Sequence, residues 1–268
     1  MKSKRLALGA AALIIVALCT GCNKLKARDQ LNKGVLSYRN AQYAQAVDHF
    51  QQAVTLDPSL VNARLYLATA LAMQYVPGGA TPENLKVAGE AIKAYENVLQ
   101  VDPTNTNAIG SIAQIYYNMR DFDKAKQFQQ QLMKAEPNNP DPYYWIGVLD
   151  YDPALKNQMT LRTKLNLIRP NPKDHDSYPP LKPKDRELLA SQNKDLVDEG
   201  MQMLQKAIDL KPNYANAYSY LNLLYRQKAD IEESPEARED DLKKADELAA
   251  KALALYKEAP HAANGGAA

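Results

Sequence analysis

Four segments of the chain share one design and end in proline: AVDHFQQAVTLDP, AIKAYENVLQVDP, KAKQFQQQLMKAEP and GMQMLQKAIDLKP, closing at Pro58, Pro103, Pro137 and Pro212. Within each, small and large apolar residues recur at three- and four-residue steps, the spacing of one helix face. Proline then stops the helix, because it lacks an amide proton and its ring clashes with the preceding turn. Pro103 and Pro137 lie 34 residues apart, room for two helices and their turns, and the other steps of 45 and 75 hold the same unit with insertions of 11 and 41 residues. A unit of this size cannot bury its own apolar face, so it must stack on further copies.

The copies agree at particular offsets. The first carries Gly34, Tyr43, Ala46, Phe50, Ala53, Leu56 and Pro58, and the third Ala113, Tyr116, Phe122, Ala125, Leu132 and Pro137. The second begins near Asn62 with Leu67, Ala68 and Leu71, then Ala91, Tyr95, Val98 and Pro103; the fourth has Tyr143, Ile146 and Gly147, then Gly200, Leu204, Ala207, Leu210 and Pro212. A fifth shows Tyr218, Leu221 and Tyr225, then Ala245, Ala249, Ala252 and Leu255, but has Asn222 in a small-residue position and Lys257 in place of proline. Small residues on facing ridges let two helix axes approach, and large ones fill the gap to the next unit. This pattern resembles the tetratricopeptide repeat family. The resemblance implies an all-α solenoid of about five helix-turn-helix units with insertions inside repeats, covering residues 28–258 with a first helix near Arg28. Four residues after each proline stand Asn62, Asn107, Asp141 and Asn216, which are expected to cap the next helix.

The insertions fall near residues 75–85, 152–192 and 229–241, each between the two helices of its unit. The first, YVPGGATPENL, is rich in turn formers, and Gly78-Gly79 is not followed by the Lys-Ser/Thr of a phosphate loop, so a plain loop is expected. The third is acidic and reads as a solvated connector, with Ser234-Pro235-Glu236 opening a helix. The middle one carries Lys156, Arg162, Lys164, Arg169, Lys173, Lys182 and Lys184 against Asp174 and Asp176, with five prolines from Pro170 to Pro183. Asp152-Pro153 is expected to cap a short helix ending at Leu165, with a new helix near Asp185. The segment is either a strapped-down loop or a contact surface for an acidic protein segment or anionic polymer.

Both cysteines, Cys19 and Cys22, stand in LCTGCN. The Cys-x-x-Cys spacing suits redox, zinc or haem sites, but Asn23 rather than histidine follows, and the histidines His49, His175 and His261 are scattered. Upstream, Lys2, Lys4 and Arg5 precede the uncharged run LALGAAALIIVAL, the layout of an export signal and too short for a comfortable span. Leu18, Gly21 and Cys22 resemble a bacterial lipobox, with Cys19 where leucine is usual. That resemblance implies a lipoprotein signal over residues 1–21, lipid attachment at Cys22, a short tether over 22–27, and an exported protein anchored in the cell envelope. Asn23, rather than Asp, after the lipidated cysteine implies the periplasmic face of the outer membrane. Residues 259–268, PHAANGGAA with the preceding Ala259, read as a disordered tail.

The formal charge is +2, and without Lys2, Lys4 and Arg5 the chain has 30 basic residues against 31 acidic ones. That balance gives no case for a nucleic-acid binder, which needs a basic stripe. No nucleophile with a partnered base and no metal-ligand cluster stands out, so neither an enzyme nor a cofactor is expected, although residues distant in sequence can converge. The repeat family's concave face maps onto Leu31, Val35 and Tyr38; Leu65, Thr69 and Met73; Gly110, Gln114 and Tyr117; Tyr144, Val148 and Tyr151; and Ser219, Leu223 and Arg226. A Tyr-rich, weakly charged groove suits a peptide. The expected function is a membrane-tethered adaptor for envelope proteins. Self-assembly through the last helix, 242–258, and an enzyme acting on the cell wall or a small ligand are the alternatives.

Overall fold

The computed structural model describes residues 22–168 and 178–258. The signal over 1–21, the tail over 259–268, and Arg169 and Lys173 lie outside the described residues. Among the described residues there are ten helices and no strands: α1 (22–39), α2 (Tyr43–Leu56), α3 (Val61–Ala72), α4 (Pro82–Leu99), α5 (Thr106–Asn118), α6 (Phe122–Ala135), α7 (Pro140–Lys164), α8 (Pro183–Leu210), α9 (Ala215–Ala229) and α10 (Pro235–Glu258). They form two compact units, the first holding α1–α5 up to Asp121 and the second α6–α10 from Phe122. No described helix is long and apolar enough to cross a membrane.

The prolines end their helices as the sequence implies, but the next helices start two residues earlier than expected. The N-caps are Leu60, Asn105, Asn139 and Tyr214, not Asn62, Asn107, Asp141 and Asn216. A single residue separates each proline from the cap, so the polar residue four places on already lies in the first helical turn. Asn105 accepts from the Ala108 amide and Asn139 from the Asp141 amide, while Leu60 and Tyr214 supply no side-chain cap. Three helices end on a non-glycine residue in the left-handed region: Ala41 (φ 57°), Arg120 (φ 60°) and Asn166 (φ 55°). Each closes a paired C-terminal bonding pattern; after α5, the Arg120 amide donates to Tyr117 O and the Asp121 amide to Tyr116 O, both at 2.9 Å.

In the first unit α3 packs between α2 and α4, and α5 against α4. Ala46, Phe50 and Ala70 form a buried cluster flanked by Leu31, Val35, Tyr38, Val47 and Leu67. Gly34 permits this packing: a Cβ there would stand 2.5 Å from two carbons of the Phe50 ring. Helix α1 is already formed at Cys22, so the segment expected as a tether over 22–27 is helical, and Ala27 within it is fully buried. The loop before α4 is pinned by Asn84, which accepts from the Val76 amide and donates to Val76 O and Gly79 O.

The second unit corrects the expectation for the middle insertion. Helix α7 does not stop at Asp152-Pro153; Pro153 lies inside a 25-residue helix. An interior proline costs about 3 kcal/mol, and the packing beyond it offsets that cost. Ala154, Gln158, Leu161 and Arg162 of α7 are buried, as are Leu189, Asn193 and Val197 of the 28-residue α8. Most of the 152–192 insertion thus lengthens two paired helices, and Leu161, Leu181 and Leu189 form a core of their own beside Leu165, Leu167 and Ile231.

Nor is the acidic connector over 229–241 simply solvated. Asp230 and Asp241 are buried; Asp241 and Glu232 both accept from Lys228, and Ser234 caps α10 by accepting from the Ala237 amide. Asp230 Oδ2 accepts from Gln158 at 2.5 Å and from Arg162 Nη2 at 2.6 Å and Nε at 3.2 Å. Arg162, fully buried, also donates to Pro179 O and lies 4.5 Å over the Tyr178 ring.

Candidate functional site

A cavity of about 450 Å³ opens in the first unit, lined by Val35, Tyr38 and Arg39 of α1, Phe50 of α2, Leu65, Tyr66 and Thr69 of α3, Tyr95 of α4, and Asn107 and Ser111 of α5. Four of these, Val35, Tyr38, Leu65 and Thr69, are groove positions read from the sequence. They converge because successive first helices present residues three or four apart on the same side. The walls are aromatic: Phe50 and Tyr66 rings lie 5.7 Å apart, and Tyr38 packs edge-on to Tyr43 at 5.4 Å. Thr69 donates to Leu65 O and accepts from the Tyr95 hydroxyl at 3.3 Å. Burial, with Tyr43 and Tyr95 adding to it, raises the Tyr38 hydroxyl above the usual tyrosine range, so it stays a neutral donor.

Arg39 is the one charged residue lining the cavity, and among the described residues its guanidinium has no ion-pair partner. The amide of Asn107 and the hydroxyl of Ser111 likewise make no hydrogen bond among the described residues. The cavity therefore offers an apolar floor, three polar groups free to bond a ligand, and a single positive charge. That composition suits a peptide segment with apolar side chains and a carboxylate.

Arg39, Phe50, Tyr66, Tyr95, Asn107 and Ser111 were not among the groove positions inferred from sequence. Arg39 directly follows Tyr38, and Asn107 was read as a cap; its true place in the first turn of α5 turns it to the cavity. The remaining inferred positions divide. Leu31 belongs to the core around Phe50, Met73 is exposed, and Gln114 donates to Asn118 one turn on. Gly110 and Tyr117 are half-buried and do not line the cavity.

In the second unit the same register is filled. Tyr144 and Val148 are 9% and 1% exposed and belong to the core, a correction to their assignment as groove residues. The reason is α9, whose Tyr214 and Tyr220 stand 5.0 and 5.7 Å from Tyr144, with Tyr220 5.6 Å from Tyr151. Burial and its neighbours, Tyr220 first, push the Tyr151 hydroxyl up to about 12. Ser219 and Leu223 are half-buried, and Arg226 is engaged by Asp246 at 2.5 Å.

The basic insertion is likewise no uniform charged surface. Lys156, Lys164, Lys182 and Lys184 are exposed, but Arg162 is sequestered by Asp230 and unavailable to a partner. Cys22 is exposed at the start of α1. No group of three or more metal-ligating side chains gathers among the described residues.

Tetratricopeptide repeat models match residues 30–60 and 88–146. The Hsp70-Hsp90 organizing protein of Triticum aestivum is 29% identical over 115 residues, which are 43% of this chain and 18% of that protein. The interferon-induced protein with tetratricopeptide repeats 2 of Cricetulus griseus is 28% identical over 181 residues, 67% of this chain and 31% of that protein. The chain thus spans less than a third of the length of these curated relatives. Among solved structures, MamA from Desulfovibrio magneticus RS-1 superposes with a TM-score of 0.55 at 17% identity, covering 87% of this chain and 97% of that one. YrrB, described as a TPR protein with an unusual peptide-binding site, superposes at 0.51 and 14% identity, covering 85% and 90%. Two stretches of the chain are therefore tetratricopeptide repeats, and the fold class is all-α, of tetratricopeptide-repeat type.

Proposed function

We propose that the protein is an adaptor, held to a membrane of the bacterial cell envelope by a lipid on Cys22, that binds a peptide segment of another envelope protein in the cavity of its first unit. The observation that carries the binding role is the combination of four aromatic walls with the uncommitted side chains of Arg39, Asn107 and Ser111. Unmet donors facing a concave apolar surface gain most when a ligand satisfies them. The peptide-binding site named for YrrB supports the same reading by analogy of fold. Export and anchoring rest on the signal layout and the lipobox resemblance at Gly21-Cys22, with the periplasmic face of the outer membrane as the favoured location.

The test is a cross-linked pull-down of the membrane-attached protein from its native cells, beside the double variant Arg39→Glu/Asn107→Ala. The expected result is an envelope protein recovered in near-stoichiometric amount and reduced about tenfold or more by the variant, the loss of a single strong contact. Recovery of the protein alone, or an undiminished partner on the variant, would refute the cavity as the binding site. Labelling of Cys22 with a radioactive fatty acid, absent in Cys22→Ser, tests the anchor separately.

A further inference from the structure

Helix α1 turns one face into the first unit and leaves the opposite face bare. Ala27, Gly34 and Ser37 are buried on the inner side. On the outer side, Cys22, Leu25, Asp29, Asn32 and Leu36 follow one another at three- and four-residue steps and share a single stripe. Leu25 and Leu36 are 71% and 62% exposed, among the most exposed large apolar side chains of the described residues. The stripe is flanked by Lys24, Lys26, Arg28 and Lys33, and the helix holds one acid, Asp29, which Lys33 engages at 2.7 Å.

We propose that this outer face of α1 lies along an anionic lipid surface, with Cys22, Leu25 and Leu36 directed into the headgroup region and the basic residues against the phosphates. The proposal rests on the reading of Cys22 as the lipid-bearing residue. Three observations point to a bilayer rather than a protein partner. The exposed leucines fall on the same stripe as Cys22, so an acyl chain there would bring that face to the membrane. The chain is helical from Cys22 onward, so no extended spacer follows the anchoring residue to lift the unit away. The charge that α1 presents beside the stripe is mostly positive, with Asp57 near Lys24 and Arg28 offsetting part of it, and is complementary to anionic headgroups.

The experiment uses the chain from Cys22 onward, with one acyl chain attached chemically to that thiol, on phosphatidylcholine vesicles with and without phosphatidylglycerol. Anionic lipid should strengthen partitioning on the order of 10- to 100-fold, since a net of about two to three positive charges near the surface contributes about fivefold each, and high salt should remove the gain. Charge reversal at Lys26 and Arg28 should abolish most of it. Depth is read in Leu36→Trp and in the control Val76→Trp, equally exposed at 63% but on another element. Bromine-labelled lipids should quench the first and spare the second, once Trp145 emission is subtracted.

Equal partitioning onto both vesicles, or equal quenching of the two tryptophans, would overturn the proposal. Concentration-dependent dimerisation that shields position 36 from lipid would assign the face to a second copy instead and overturn it too. Because the acyl chain is supplied chemically, a cell that leaves Cys22 unmodified would refute the anchoring of the preceding section while the vesicle result still judges this face.

Discussion

Removing Asp230 by substitution to alanine tests how the second unit is held. Asp230 is 5% exposed and Arg162 fully buried, and the two meet at 2.6 Å with Gln158 as a further donor. Without the carboxylate, a desolvated guanidinium keeps only Pro179 O and the Tyr178 ring. Leaving one charge of a buried pair uncompensated costs about 3–5 kcal/mol, and Arg162→Ala should cost a similar amount by exposing the carboxylate to the same environment. Replacing both with apolar residues of similar volume, as in Arg162→Met/Asp230→Leu, should cost far less than the sum, because no unpaired charge remains. The assay is urea unfolding followed by the fluorescence of Trp145, the only tryptophan, which sits in α7 and so reports this unit. With an ordinary urea dependence, each single variant should lower the midpoint by about 2 M. A single-variant cost below about 1 kcal/mol, typical of a solvated surface pair, would refute the argument, as would a double variant as damaged as the two singles added together.

Two further outcomes follow from the geometry. Burial raises the Asp150 carboxyl to about 6 in spite of Lys126, which donates to it at 2.6 Å and pulls the other way. Its folded value lies above its unfolded one, so the native state binds more protons between about pH 4 and 6; stability should fall as pH rises through that window and level off above it. The loss amounts to about 3 kcal/mol from the conversion of a shift of roughly two units, and it should be missing in Asp150→Asn when the two proteins are unfolded side by side at several pH values. Ala41 and Arg120 hold left-handed backbone that L-residues resist. Glycine at either should add up to about 1 kcal/mol, visible as a melting temperature raised by a few degrees; a lowered one would mean that the side chains contribute more than the backbone strain costs.

The elements were legible in the sequence wherever their cause is local. The recurrence of Ala46, Phe50 and Ala53 before Pro58 fixes a helix, its buried face and its end within one short window. The cavity was legible in part for the same reason, since Val35 with Tyr38 and Leu65 with Thr69 sit in equivalent registers on successive first helices. What failed was nonlocal. Pro153 reads as a breaker from its neighbours alone, but the packing that carries α7 past it comes from Leu189 and Asn193 of α8. Arg162 counts as one more surface cation until it meets Asp230, 68 residues away.

The contrast between the units shows why a repeat register does not by itself specify a site. Tyr38 and Tyr144 were both read as groove positions, yet Tyr38 lines an opening and Tyr144 is covered. The difference lies in what the neighbouring helix presents. Opposite Tyr144, α9 supplies Tyr214 and Tyr220, whose rings occupy the space a ligand would need. Burial and the Asp141 carboxylate both hold the Tyr214 hydroxyl in its protonated form, well above the usual tyrosine range, so its polar tip is already committed to Asp141. Around Tyr38, the corresponding space is bounded by Leu65, Thr69 and the small or amide side chains of Ser111 and Asn107, which leave volume and unmet hydrogen-bonding groups together. Tyrosine count alone would make the second unit the better binding surface. Satisfaction and packing reverse that order, leaving open volume and unmet hydrogen-bonding groups together in the first.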